Sequence, residues 1–324
     1  MLIAAAAIIA GFAIIIWSAD LFIVGAAAVA RNMGMSPVII GMTIVSIGTS
    51  APEILVSLTA AFAGSGELAV GNAIGSNIAN IGLVLGITLL VTPLVVLQST
   101  IKKELMLLLA VTAMAGLMLA DNVLSGVDGW LLVAAMVLVM GFILYGQTRD
   151  TELRQEATEE PLRELPPVRA WLTFAAGLLL LIASSRLLVW GAVDTAYRLG
   201  VSELLIGLTV IAVGTSLPEL AATVTCALRG HTEIAIGNVI GSNLFNLLVV
   251  MAIPGIVSSQ ALVPAVLTRD YPAMALLTTF LAAAVYLGGR KKTSPPGHAS
   301  LGRTVGVLLV TFYALYYYLL YSSL

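Results

Sequence analysis

One segment of this chain occurs twice. Gly48 to Asn80 reads GTSAPEILVSLTAAFAGSGELAVGNAIGSNIAN, and Gly214 to Asn246 reads GTSLPELAATVTCALRGHTEIAIGNVIGSNLFN. The copies stand 166 residues apart with no gap, and roughly 22 of the 47 positions from Gly34 to Asn80 are identical in the second copy. The chain is therefore two halves of like structure. Each copy sets one glutamate, Glu53 or Glu219, inside an apolar run. An ionisable group there is costly and marks a functional site.

Composition says what surrounds those glutamates. Of 324 residues, 60% are hydrophobic and 10% charged, where a soluble domain carries about 25% charged residues. Mean hydropathy is +1.05, and apolar runs long enough to span a bilayer recur throughout. They predict an all-α polytopic membrane protein: ten transmembrane helices as two inverted five-helix repeats. The expected spans are 2–29, 37–63, 68–96, 101–120, 128–147, 169–197, 203–228, 234–256, 268–288 and 304–321. The first repeat then covers 1–147, a polar linker 148–168, and the second repeat 169–324. The first run lacks a basic leader and carries Asp20, so it reads as a retained span. Cys226, the single cysteine, lies in an apolar span and reads as a small core residue. No basic stripe with interleaved aromatics points to nucleic acid.

Charge gives orientation. Loops on the linker side hold twelve Lys and Arg, and the opposite loops hold only Arg198 and Arg269. That bias places the linker in the cytoplasm and both termini outside. Five spans is an odd number, so the halves insert with opposite orientation. Such repeats place a substrate site near the bilayer midplane.

The chemistry of the repeated segment follows from its residues. Pro52 and Pro218 lack an N–H and break the helical ladder, leaving carbonyls around Ser46 to Gly48 and around Ala212 to Gly214 exposed. Irregular backbone at that depth must face protein or a wet cavity. Thr49, Ser50, Thr215 and Ser216 stand beside the breaks. Downstream, Ser76 and Asn80 share one helix face, as do Ser242 and Asn246. These donors are all oxygen, which suits a hard cation such as Ca²⁺. Zinc or copper calls for His or Cys, and His231 and His298 lie in loops. Two carboxylates are neutralised by one Ca²⁺ or by several Na⁺, and such competition is the basis of antiport.

At these residues the chain resembles the sodium/calcium exchanger family, within the cation/calcium antiporters, and looks most like its short prokaryotic members. The resemblance matches that family's two α-repeats at 41–86 and 207–254. It implies a midplane site with Glu53 and Glu219 as principal cation ligands. Thr49, Ser50, Ser76, Thr215, Ser216 and Ser242 supply further oxygens, with the Ser46 and Ala212 carbonyls. Asn80 and Asn246 complete the set. The resemblance also implies three Na⁺ exchanged for one Ca²⁺, no cofactor, and a first and sixth helix that slide as a gate. It departs at one point. Some relatives carry Asp at the position of Asn80 or Asn246, and both are Asn here, so the third carboxylate linked to potassium co-transport is absent.

Asp20 and Arg186 occupy equivalent repeat positions and are expected to form an ion pair that positions the gate, unless each finds its own partner or snorkels. The expected function is Na⁺/Ca²⁺ antiport across a prokaryotic plasma (inner) membrane, and the alternative is Ca²⁺/H⁺ exchange. The partners are Ca²⁺, Na⁺ and membrane lipid, with no obligate protein partner evident. An intramembrane hydrolase would need a base beside Ser50 or Ser216, and no His or Lys is near either in sequence. The chain therefore reads as no enzyme. A passive channel fits paired breaks in inverted repeats less well than alternating access does.

Overall fold

The computed structural model describes residues 1–149, 165–200, 212–290 and 294–322. The polar linker and the first part of the seventh expected span lie largely outside these described residues. Within them the chain is helical: α1 (Leu2–Met33), α2 (Pro37–Thr49), α3 (Ala51–Phe62), α4 (Gly66–Val91), α5 (Gln98–Met118), α6 (Gly126–Arg149), α7 (Pro167–Arg198), α8 (Ala212–Thr215), α9 (Leu217–Leu228), α10 (Thr232–Val257), α11 (Val266–Gly288) and α12 (Arg303–Ser322). Seven of these are long and apolar enough to cross a membrane, and the bent pair α2–α3 makes an eighth candidate. This is a multi-pass membrane protein.

Helix ends follow local chemistry. α1 runs past the expected residue 29 and stops where Gly34 turns left-handed, at φ 63°. The expected span 68–96 ends early, at Val91. Thr92 precedes Pro93 and is extended, at φ −148° and ψ 136°, because a residue before proline avoids the helical region. The residues beyond form a strand instead. Four short strands were not expected: β1 (Leu94–Leu97), β2 (Val123–Leu124), β3 (Gln260–Ala261) and β4 (His298–Leu301). β1 pairs antiparallel with β4, Leu94 opposite Leu301, and β2 with β3, Val123 opposite Ala261. Each pair joins one half of the chain to the other.

The interior holds the duplicated segment. α4 and α10 are the most buried of the long helices, while α6, α7 and α12 turn most of their surface outward. Their exposed side chains include Trp130, Phe142, Leu172, Leu179 and Leu308, as a lipid-facing shell requires. Small residues set the closest contacts. A Cβ on Gly25 would lie 2.2 Å from the Phe174 nitrogen, and one on Gly177 would lie 2.4 Å from the Phe22 nitrogen. Only glycine admits that approach, and it locks α1 antiparallel against α7. α10 packs as closely on α2, with Gly237 against the Val38 carbonyl and Gly241 against that of Met42.

Candidate functional site

Each glutamate owes its position to the proline before it. α2 and α3 meet at Ser50 with a bend of 45°. Pro52 falls in the first turn of α3, where a missing N–H costs nothing. Glu53 follows at once and is 1% exposed. The second half repeats this: the chain turns at Ser216, Pro218 opens α9, and Glu219 is 1% exposed.

The two breaks differ in detail. The Ser50 N–H reaches the Ser46 carbonyl at 2.9 Å, and the Thr49 hydroxyl points at the same carbonyl from 3.4 Å. The Ser46 carbonyl is thus partly engaged. The Ser216 N–H turns to Val213, only three residues back, at 3.1 Å. The Gly214 carbonyl, freed by Pro218, accepts the Ser185 hydroxyl of α7 at 3.0 Å. Among the described residues, the Gly214 carbonyl is thus capped by a side chain of another helix.

The halves meet at the glutamates. The Glu219 carboxylate faces Thr49 and Ser50 of the first half, within electrostatic range of Glu53, but makes no hydrogen bond of normal geometry. Glu53 Oε2, both Glu219 oxygens, the Ser50 and Ser216 hydroxyls and both amide atoms of Asn80 and Asn246 are buried without a hydrogen-bond partner among the described residues. Most buried polar atoms in folded proteins have partners, so this concentration calls for a ligand. Asn80 and Asn246 each begin a π-helical turn. The Met251 N–H reaches the Asn246 carbonyl five residues back, at 2.9 Å, and such widened turns are frequent at functional sites.

Thr49 and Ser242 come together across the halves, 3.5 Å apart at their hydroxyls. Ser76 and Thr215, their repeat mates, line a cavity of about 380 Å³ that also touches Asn72, Gly75, Asp270 and Tyr316. Of the sequence-predicted residues, Glu53, Glu219, Thr49 and Ser50 are brought together directly.

Two asparagines at the site were not assigned a role from the sequence. Asn238 accepts the Thr49 hydroxyl at 3.2 Å and donates to Thr223 at 2.9 Å. Its mate Asn72 donates to the Glu53 carbonyl at 3.2 Å. Both stand in the Gly-Asn that opens the second part of each copy, and that repetition was the available signal. Asn77 donates to the backbone carbonyl of its own repeat mate Asn243 at 3.3 Å.

The expected ion pair between Asp20 and Arg186 does not form. Asp20 is bound by Arg229 at the end of α9. The α1–α7 register gives the reason. Gly11 meets Leu188 and Gly25 meets Phe174, so Asp20 lies level with Leu179 and Arg186 with Ala13. Seven residues of helix separate those levels, about 10 Å. Arg186 lines a cavity of about 250 Å³ with Pro52, Ser185 and Thr215.

Comparison with known proteins points to one family. The family model described as sodium/calcium exchanger protein matches residues 3–145 and 169–322. The chain is 43% identical to CaxA of Alkalimonas amylolytica over 327 aligned residues, covering 100% of both chains. It is 39% identical to the inner membrane protein YrbG of Escherichia coli, covering 99% of this chain and 98% of that one. A solved structure of the sodium-calcium exchanger NCX_Mj, soaked with 10 mM Na⁺ and 10 mM Sr²⁺, superposes with a TM-score of 0.80 at 27% identity, covering 97% of each chain.

Proposed function

Because the chain belongs to the sodium/calcium exchanger family, we propose that it exchanges Na⁺ for Ca²⁺ at a midplane site between Glu53 and Glu219. One observation carries this reading. Two glutamates 166 residues apart in sequence share one buried cluster, and the Ser50, Ser216, Asn80 and Asn246 side chains predicted for the same site have no protein partner among the described residues. Ca²⁺ takes six to eight oxygens at about 2.3–2.6 Å and tolerates irregular geometry. Ser50, Ser216, Thr49, Thr215, Ser76 and Ser242 supply hydroxyl oxygens around it, and Asn80 and Asn246 amide oxygens. The Ala212 carbonyl is the proposed backbone ligand in the second half. The Ser46 carbonyl joins only when the Thr49 hydroxyl turns away.

The same two carboxylates serve Na⁺ in the alternate load. Ca²⁺ and Na⁺ then exclude each other by charge, and each stabilises a passage from one face to the other only through differential affinity. The architecture proposed for this is ten spans in two inverted repeats, 1–147 and 169–324, with 148–168 as a cytoplasmic linker and both termini outside. It is supported by the cross-half strand pairs, in which β1 with β4 mirrors β3 with β2. Asp20, bound to Arg229, and Arg186 are the intramembrane charges on the α1–α7 pair, and a gating role for them rests on its movement against the interior.

Proteoliposomes loaded with Na⁺, K⁺ or acidic buffer and offered isotopic Ca²⁺ test the coupling. Uptake driven by an outward Na⁺ gradient is the expected result. Uptake that follows only a pH gradient would replace Na⁺ by H⁺, and uptake with no counter-cation would indicate a channel.

A further inference from the structure

The duplication brings a second pair of acids into register, away from the glutamate cluster. The 166-residue offset carries Lys103-Glu104 of α5 onto Arg269-Asp270 of α11. The structural match is close. Thr112 donates to the Leu108 carbonyl at 2.8 Å, and its mate Thr278 donates to the Met274 carbonyl at 3.0 Å. Glu104 follows β1 and Asp270 follows β3, so the two dipeptides stand toward opposite faces, those of the β1–β4 and β2–β3 pairs.

Asp270 forms part of the wall of the 380 Å³ cavity that reaches Ser76 and Thr215. Arg269 clamps it, Nε to Oδ1 at 2.7 Å and Nη2 to Oδ2 at 3.2 Å, and the Tyr316 hydroxyl donates to Oδ1 at 3.0 Å. The carboxylate is thus held at a cavity wall by a tethered cation. Its side chain is 17% exposed and that of Arg269 30%, so the clamp is open to competition. Glu104 is 7% exposed, and its Oε2 has no hydrogen-bond partner among the described residues.

We propose that Asp270 is a docking ligand for the transported divalent cation on the β2–β3 face, with Arg269 as its tethered counter-ion. The proposal rests on the exchanger reading above. A dication reaching the cavity displaces the guanidinium from Asp270 and passes to the oxygens of Ser76 and Thr215. The Arg269 side chain then closes back on Asp270, which keeps the acid from retaining the ion. In a low-dielectric wall the doubly charged ion is drawn to the carboxylate more strongly than the singly charged guanidinium it displaces.

The test is isotopic Ca²⁺ uptake by oriented proteoliposomes, titrated from each face. Asp270→Asn is expected to raise half-maximal Ca²⁺ on the β2–β3 face by about three- to tenfold, with the maximal rate and the opposite face unchanged. Arg269→Gln is expected to lower it on that face, the opposite sign, and Asp270→Glu to keep it. Glu104→Gln, in the equivalent position of the other half, is expected to leave the β2–β3 face unchanged. A purely structural clamp would make Asp270→Asn and Arg269→Gln move together, or move both faces alike, and either result overturns the docking role. Flux with every half-maximum unchanged overturns it too. Absence of any calcium flux in the unaltered protein sinks the exchanger reading, and this proposal with it.

Discussion

Glu53 and Glu219 place two carboxylates where neither finds a protein cation among its described neighbours. Two carboxylates this close and this buried are balanced only by bound cations, whether metal ions or protons. Glu53→Gln or Glu219→Gln keeps the shape and removes one charge. Breaking a buried charge pairing costs about 3–5 kcal/mol, so calcium flux should fall at least about a hundredfold. The fold should not suffer, because the mutation relieves repulsion. Ca²⁺ should raise the melting temperature of the unaltered protein by mass action and leave that of either variant in place. Retained flux, or a retained calcium-induced shift, would contradict the site. The glutamates were legible in the sequence because their chemistry is written twice in an apolar setting. Asn238 and Asn72 were not, although they too are duplicated. Their partners Thr49, Thr223 and the Glu53 carbonyl are chosen by packing, which a single sequence does not state.

At the scale of elements, proline was a sound guide and equivalence of position was not. Pro52 and Pro218 predict the two breaks, and the structure sets them at Ser50 and Ser216. The π-helical turns at Asn80 and Asn246 leave no mark in the sequence pattern, since one extra residue in a turn barely alters apolar periodicity. The strands are too short to show an alternation. Asp20 and Arg186 mispair on paper because repeat equivalence says nothing about how α1 slides along α7. That register is set by glycine contacts, and it is directly testable. Ser18→Cys with Leu181→Cys, both buried and at one level by the same register, places two thiols side by side, and oxidation should cross-link them within the chain. Asp20→Cys with Arg186→Cys places them about 10 Å apart along the axis, beyond disulfide reach, and should give no bridge. The native Cys226 is buried and in no disulfide, so background is low. If α1 and α7 move as one body, calcium flux survives the first cross-link.

At the scale of the molecule, the inverted arrangement turns on parity. Each half must cross the bilayer an odd number of times for the linker to lie opposite both termini. Seven helices meet a simple test of length and apolarity and the bent α2–α3 pair makes eight, so α5 and the segment ending in α9 decide the count. α5 has 21 residues, about 31 Å at 1.5 Å per residue, enough to span a hydrocarbon core of about 30 Å. Its charges, Lys102, Lys103 and Glu104, cluster at one end, where lysine stems snorkel to the interface. α9 is only 12 residues long, and it follows the turn at Ser216 as α3 follows that at Ser50. By that likeness the proposed architecture takes it as the second limb of a broken span. On the same proposal, the asymmetry of twelve basic residues to two puts the linker side in the cytoplasm. Reporters fused after Leu324 and inserted near Glu156 should therefore read opposite sides of the membrane in a bacterial host, the second one cytoplasmic. Finding both on one side would make the second half cross an even number of times. The two glutamates would then no longer be related by inversion, and alternating access through one shared site would lose its structural basis.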